Sequence, residues 1–285
     1  MYASNYNPIQ VPVLSEKAFH DLSEFIHSHY GIKLPPEKKL MLQSRLQRRL
    51  KTLGYQTFDD YCRYVFSSEG EDEVIHMINR VTTNKTDFFR EPGHFDFLVE
   101  TLLPLWLTRH HQTPNRPFAL WSAGCSTGEE PYTLAMILSD FQKTYPAFDF
   151  KIFASDISSQ VLEKAREAIY NKDRIAPITM EMRRKYLLKS RDPEKSLVRI
   201  VPELRRKIRF DRVNLMEPFR MKEKFDVIFC RNVIIYFNRQ TQEKLINQFA
   251  RQLQPKGYLF LGHSESINGM SVPFVTVAPT VYQKQ

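Results

Sequence analysis

The chain of 285 residues is 42% hydrophobic and 13% aromatic, enough to bury one large or two modest cores. No run approaches about 18 uncharged apolar residues, and Met1-Tyr2-Ala3-Ser4-Asn5-Tyr6 lacks a basic flank before an apolar core; neither a transmembrane helix nor a signal peptide is expected. Three widely spaced cysteines (Cys62, Cys125, Cys230) argue against a disulfide framework or zinc knuckle and for a reducing cytoplasm, while the net charge of +9 allows acidic partners, nucleic acid among them.

Residues 1–14 read as a flexible arm. From Ser15 the spacing turns helical: Phe19, Leu22, Phe25 and Ile26 share one face, and Gly31 closes the helix after Tyr30. Pro35-Pro36 starts a second helix that runs to Gly54. Leu42, Leu46, Leu50 and Leu53 form its apolar stripe, and Lys38, Arg45, Arg48 and Arg49 a neighbouring basic one. Phe58–Phe66 and Val74–Val81 predict two further short helices. Residues 15–90 thus form an expected helical N-terminal domain, followed by a linker helix and loop over 91–116, with the helix at His94–Leu107.

From 117 to 285 strands and helices alternate. Strands are predicted at Phe118–Ser122, Lys151–Ala154, Ile208–Asp211, Asp226–Cys230 and Tyr258–Leu261, with helices at Tyr132–Phe141, Ser159–Ala168 and Gln240–Leu253. This order predicts an α/β fold with a parallel sheet covered on both faces. Pro273–Gln283 predicts a closing antiparallel pair. Tyr170 to Lys207 is too long and too charged for a simple crossover, and it contains a strand at Leu197–Val201; it reads as an insertion used for recognition.

The first strand runs into Ser122-Ala123-Gly124-Cys125-Ser126-Thr127-Gly128-Glu129-Glu130-Pro131. A strand, a Gly-containing turn and a helix build a ligand cradle at the strand's carboxyl end. This cradle has no Lys and offers two acids, so it suits a cationic or hydroxyl-rich ligand better than a pyrophosphate. Asp156, closing the second strand, stands where acids take ribose hydroxyls in dinucleotide folds; it could also cap the following helix. Asn214 follows the third strand and could meet an adenine edge or close a turn. The buried strand Phe225–Cys230 aims Arg231 and Asn232 at the sheet's carboxyl edge, where ligands bind. Between the helical region and the sheet, Thr82–Glu91 gathers hydroxyls, an amide and an Arg around Phe88-Phe89.

These motifs together resemble the chemotaxis receptor methyltransferases, the CheR family of class I S-adenosylmethionine-dependent enzymes. The resemblance rests on Thr83-Asn84-Lys85-Thr86-Asp87-Phe88-Phe89-Arg90-Glu91, Trp121–Tyr132, Ala154-Ser155-Asp156-Ile157, Phe229–Phe237 and Gly262-His263-Ser264-Glu265, which stand in family order over about residues 15–285. It implies an all-α N-terminal domain and a Rossmann-like, seven-stranded methyltransferase sheet, with a small antiparallel β-subdomain inserted near 171–207. It also implies contacts to S-adenosyl-L-methionine at Asn84, Thr86, Arg90, Glu130, Asp156, Asn214, Leu215, Arg231 and Asn232, with Glu129 shaping the helix start instead.

The implied reaction makes methyl esters of glutamate side chains on receptor helices and leaves S-adenosyl-L-homocysteine. A carboxylate is already ionised at neutral pH, since its ordinary pKa is about 4.3. No general base is needed, and the motifs show no His–Asp or Ser–His constellation. Arg90 and Arg231 are expected to pair with carboxylates, the methionyl group's or the acceptor's, and Tyr236 to line the methyl path. Lys38, Arg45, Arg48 and Arg49 are expected to steer the acidic helices of membrane chemoreceptors. A receptor C-terminal peptide at the β-subdomain is a second candidate partner, although Ser190–Ser196 lacks glycines. No metal is expected, and a monomer suffices. Two rival functions have weaker support. Nucleic-acid methylation would need an Asn-Pro-Pro-Tyr or Pro-Cys motif, and neither is present; a binding module without turnover would have kept these cofactor positions for no chemistry.

Overall fold

The computed structural model describes residues 12–82, 84–110, 116–192 and 194–285. Most of the expected arm (1–11), residues 111–115 of the expected linker and Pro193 of the insertion lie outside them. The chain divides into two compact units, Met1–Thr82 and Thr83–Gln285.

In the first unit, α1 (Glu16–Tyr30) starts where the Ser15 hydroxyl accepts the Ala18 amide, and it ends at Gly31. A single 3-10 turn, Pro36–Lys38, leads into α2 (Lys39–Leu53). Then come α3 (Phe58–Val65), capped by Thr57, and α4 (Glu71–Val81). Leu22, Ile26, Leu42, Leu46, Leu50, Tyr61, Met77 and Ile78 are fully buried. Leu53, expected on the apolar stripe, is exposed because the helix ends there at Gly54.

In the second unit, the helical stretch after Pro92 is α5 (Gly93–Phe97), a π turn at Leu98–Leu102 and α6 (Leu103–Arg109). Its apolar residues Leu98, Leu102, Leu103 and Trp106 join the main core. The helical residues 93–109 of the expected linker therefore pack within this unit, which begins at Thr83. Next follow β1 (Phe118–Ala123), α7 (Glu129–Thr144), β2 (Phe150–Asp156) and α8 (Ser159–Glu167).

The insertion begins with β3 (Ile169–Asn171) and α9 (Met180–Tyr186). It continues through β4 (Leu187–Lys189), β5 (Leu197–Ile200) and α10 (Pro202–Arg206). The chain then returns to β6 (Ile208–Arg212), β7 (Phe225–Cys230), α11 (Arg239–Gln252), β8 (Leu253–Leu261), β9 (Phe274–Ala278) and β10 (Val281–Lys284).

The main sheet has the order β6-β2-β1-β7-β8-β10-β9, and β3-β5-β4 form a separate antiparallel sheet. The strands from β6 to β8 run parallel, whereas β10 pairs antiparallel with both β8 and β9. Strand alternation explains the two cores. Phe118 and Leu120 of β1 enter one, with α7, α8 and the insertion. Ala119, Trp121 and Ala123 enter the other, with Leu245, Ile246 and Phe249 of α11. The fold is the α/β architecture expected. Its order reverses between β1 and β7, which opens a crevice at their carboxyl ends.

Candidate active site

The loop after β1 is held against β2. The amides of Gly124 and Cys125 donate to Ser155 O at 2.7 and 2.9 Å, and the Ser126 amide donates to Asp156 Oδ2 at 2.9 Å. Gly128 closes the loop at φ 96°; a Cβ there would meet Tyr170 Oη at 2.9 Å. The same Tyr170 donates to Thr127 O at 2.7 Å.

The two acids that follow part company. Glu129 is buried in the first turn of α7, where the helix dipole favours an anion. Its carboxylate accepts Thr127 Oγ1 at 2.6 Å and Arg174 Nη2 at 2.7 Å. Arg174 also donates to Thr86 O and pairs with Asp87 at 3.2 Å. Glu130 instead reaches the crevice. Its Oε1 accepts Ser122 Oγ at 2.7 Å, and its Oε2 lies 3.5 Å from Arg231 Nη1. Burial pushes its carboxyl above the usual range, against the pull of Arg231 and Ser122.

Asp156 is 8% exposed and accepts the Ser158 amide at 3.0 Å as well as that of Ser126. Burial raises its carboxyl too, in opposition to these amides. Asp156 O accepts the Val213 amide at 3.1 Å, which brings the next loop alongside. There Asn214 Oδ1 accepts the Met216 amide at 3.1 Å and Nδ2 donates to Glu217 at 2.8 Å, so Asn214 does close a turn, beside buried Leu215.

Arg231 is buried and stacks near the Phe95 and Phe229 rings. Its guanidinium donates to Glu91 Oε2 at 3.2 Å and to Arg90 O. It therefore pairs with this protein's own carboxylates, Glu91 and Glu130. Burial alone would lift the Glu91 carboxyl, but Arg231 and the His263 amide hold it below the usual range. Phe89, Glu91 and Asn232 lie close in chain or contact and have φ of 54°, 59° and 59°. Left-handed backbone at non-glycine residues is costly and gathers at functional sites.

Glu265, which closes the Gly262-His263-Ser264-Glu265 motif, holds this region. Its buried carboxylate accepts the amides of Gly262 at 2.6 Å, Asn232 at 2.9 Å and Ile235 at 3.3 Å. Gly262 is required by contact: a Cβ there would lie 2.5 Å from Asn232 Nδ2. Tyr236 ends the short helical turn Ile234–Tyr236 just beyond and is half-buried. Arg90 is half-exposed and donates to Lys85 O at 3.2 Å. Asn84 O accepts Ser126 Oγ at 3.0 Å, and the half-buried Thr86 is fixed through Arg174.

The crevice thus gathers Asn84, Thr86, Arg90, Glu130, Asp156, Arg231 and Asn232 around the carboxyl ends of β1, β2 and β7, with the Asn214 loop beside them. Glu91, Arg174 and Glu265 had no assigned role in the sequence reading. The structure also brings Glu91 and His94 together at 3.6 Å, a His–carboxylate pair the motifs did not reveal.

Residues 84–282 match the CheR methyltransferase SAM-binding domain, and residues 17–82 match the CheR methyltransferase all-alpha domain. The chain belongs to the CheR methyltransferase family. A chemotaxis protein methyltransferase of Borreliella burgdorferi is 40% identical over 265 residues, 92% of each chain. That of Escherichia coli is 38% identical over 270 residues, 94% of this chain and 91% of its own. Chemotaxis protein methyltransferase 2 of Pseudomonas aeruginosa is 35% identical over 281 residues, 95% and 96%.

The cofactor of a CheR enzyme is S-adenosylmethionine, and the residues fit it. The largely buried carboxylates Glu130 and Asp156 suit an ammonium, a sulfonium and ribose hydroxyls, and the loop offers no lysine for a phosphate.

One CheR expectation needs correction in the first unit. Arg49 is not a free rim charge. Its Nε donates to Glu73 Oε1 at 2.9 Å, its Nη2 to Glu73 Oε2, and Tyr61 Oη donates to the same acid at 3.0 Å. Glu73 is 2% exposed, so this pair belongs to the core. Arg45 is likewise engaged, donating to Val81 O at 2.6 Å. Arg48 is exposed and Lys38 half-exposed.

Proposed function

We propose that this protein transfers the methyl group of S-adenosylmethionine to glutamate side chains of chemoreceptors, forming methyl esters and releasing S-adenosylhomocysteine. The observation that carries this reading is the Glu130 carboxylate, half-satisfied between Ser122 and Arg231 beside a loop without lysine. The relatives' name, chemotaxis protein methyltransferase, supports the receptor as acceptor.

Glu130 holds the cofactor's ammonium, and Asp156 its ribose hydroxyls. Asn214 and Leu215 flank the adenine, with the Asn214 backbone as the contact, since its side chain closes a turn. Asn84, Thr86 and Asn232 complete the pocket. The cofactor supplies a methyl group on a positively charged sulfur. One C–O bond forms as one S–C bond breaks, the electron pair passes to sulfur, and no proton moves. The protein's part is alignment and exclusion of water, which can lower a barrier by about 7–11 kcal/mol. Arg90, the more exposed of the two arginines, steers the acceptor carboxylate; Arg231 braces Glu91 and Glu130. Tyr236 lines the methyl path.

Arg48 and Lys38 attract the acidic receptor helices in the cytoplasm. Incubation with methyl-labelled S-adenosylmethionine and receptor-rich membranes is expected to give label released as methanol by mild alkali. Absence of alkali-labile label at every salt concentration sinks the reading.

A further inference from the structure

Glu91, His94 and His263 gather at the edge of the crevice, and the two histidines have no part in the proposed methyl transfer. Glu91 Oε2 lies 3.6 Å from His94 Nδ1 and 4.0 Å from His263 Nε2. All three ligand atoms fall within 4.8 Å of one another. His94 is 3% exposed. Its Nε2 is 2.8 Å from Thr280 Oγ1, whereas its Nδ1 is buried with no hydrogen-bond partner among the described residues. With Nε2–H directed at Thr280, Nδ1 turns a lone pair toward a carboxylate. Two electron-rich atoms so placed call for a cation between them.

We propose that Glu91 Oε2, His94 Nδ1 and His263 Nε2 form a binding site for a divalent metal ion of the zinc class. Tetrahedral zinc with bonds of 2.0–2.1 Å sets its ligand atoms about 3.4 Å apart. The Glu91–His94 separation is already close to that, and His263, with a side chain 61% exposed, has room to close. The surrounding shell also fits. A ligating imidazole usually fixes its other nitrogen on a neighbour, as Thr280 does here, and a ligating carboxylate is itself hydrogen-bonded, as Arg231 does at 3.2 Å. Two imidazoles favour zinc over magnesium or calcium.

Titration of the full chain with Zn²⁺ alone at pH 7.5, followed by calorimetry, tests the site. One equivalent is expected to bind saturably, and Co²⁺ is expected to show the visible bands of four-coordinate cobalt. His263→Ala should weaken zinc by at least about tenfold with an unchanged unfolding midpoint, because the side chain is exposed. His20→Ala, in the helical unit, should leave the equivalent intact. No saturable binding, or binding indifferent to His263→Ala, overturns the proposal.

Discussion

At the amino end of β7, Asp226 accepts four hydrogen bonds: from Arg116 Nη1 and Nη2 at 2.7 and 2.6 Å, Trp106 Nε1 at 2.9 Å and the Ala119 amide at 2.9 Å. At the carboxyl end of the same sheet, Glu130 has one hydroxyl at 2.7 Å and a guanidinium at 3.5 Å. A carboxylate has about four lone-pair sites. Asp226 fills them and holds the structure together; Glu130 keeps capacity for something else. Concavity does not make this distinction. A cavity of ≈ 220 Å³ opens at the amino end, lined by Trp106, His110, Arg116, Asp226 and Lys256. Its carboxylate is saturated, whereas the end proposed to hold the cofactor has unfinished polar groups.

Asp226→Ala should produce the largest effect. It leaves Arg116 and the Trp106 indole without their shared acceptor, and loss of about 3 kcal/mol is expected in denaturant unfolding, the low end for a broken buried pair because Arg116 is one-third exposed. Affinity of the folded protein for S-adenosylhomocysteine should stay within about twofold; a large loss of affinity with little loss of stability would break the comparison. Glu265→Gln loosens the amides of Gly262, Asn232 and Ile235. A methyl-transfer kcat lower by on the order of 100-fold is expected, with a much smaller shift in unfolding midpoint.

Glu130→Gln keeps an acceptor for Ser122 and removes the charge. Cofactor affinity should fall roughly 10- to 100-fold, the worth of a charged hydrogen bond. Stability should hold or rise, since a buried charge is gone. The pH profile sharpens the same point. Burial raises the carboxyls of Glu130 and Asp156, so cofactor affinity should fall with acid at a midpoint above the ordinary value of about 4.3. In the window between the unfolded and folded pKa values, the folded state binds more protons, so these groups' contribution to stability grows as pH falls. The stability deficit of the protein relative to Glu130→Gln should therefore shrink as pH falls while cofactor affinity weakens, and a deficit that grows with acid would contradict the assignment.

The smallest effect belongs to Arg48→Glu. A rim charge should slow receptor methylation a few-fold at low salt and hardly at all at high salt. Arg49→Glu would instead break the Glu73 pair and unfold the helical unit, so it tests the core and not docking.

The strand–loop–helix cradle was legible because its signals are local: an apolar run, glycines and two acids within about a dozen residues. The same holds for Asp156, Arg231 and Asn232, each at the end of a recognisable strand. What escaped depends on long separations. Arg174 meets Glu129 from the insertion, Glu91 meets Arg231 across 140 residues, and Glu265 finds amides some 30 residues earlier. Periodicity put Arg49 on a basic face, but only tertiary structure supplies Glu73. The expected strand began only at Tyr258, whereas β8 starts at Leu253 and takes in Pro255 and Gly257 through a register shift.

The ties of Tyr170 to Thr127 and of Arg174 to Glu129 also determine how this fold can be recombined. The small sheet is not a cassette. Excising it, or exchanging it for another recognition module, would leave a carboxylate stranded beneath the first turn of α7 and the cradle without its outer wall. A chimera that keeps its methyl-donor pocket must carry Tyr170 and Arg174 with the host framework and change only the chain between β4 and β5.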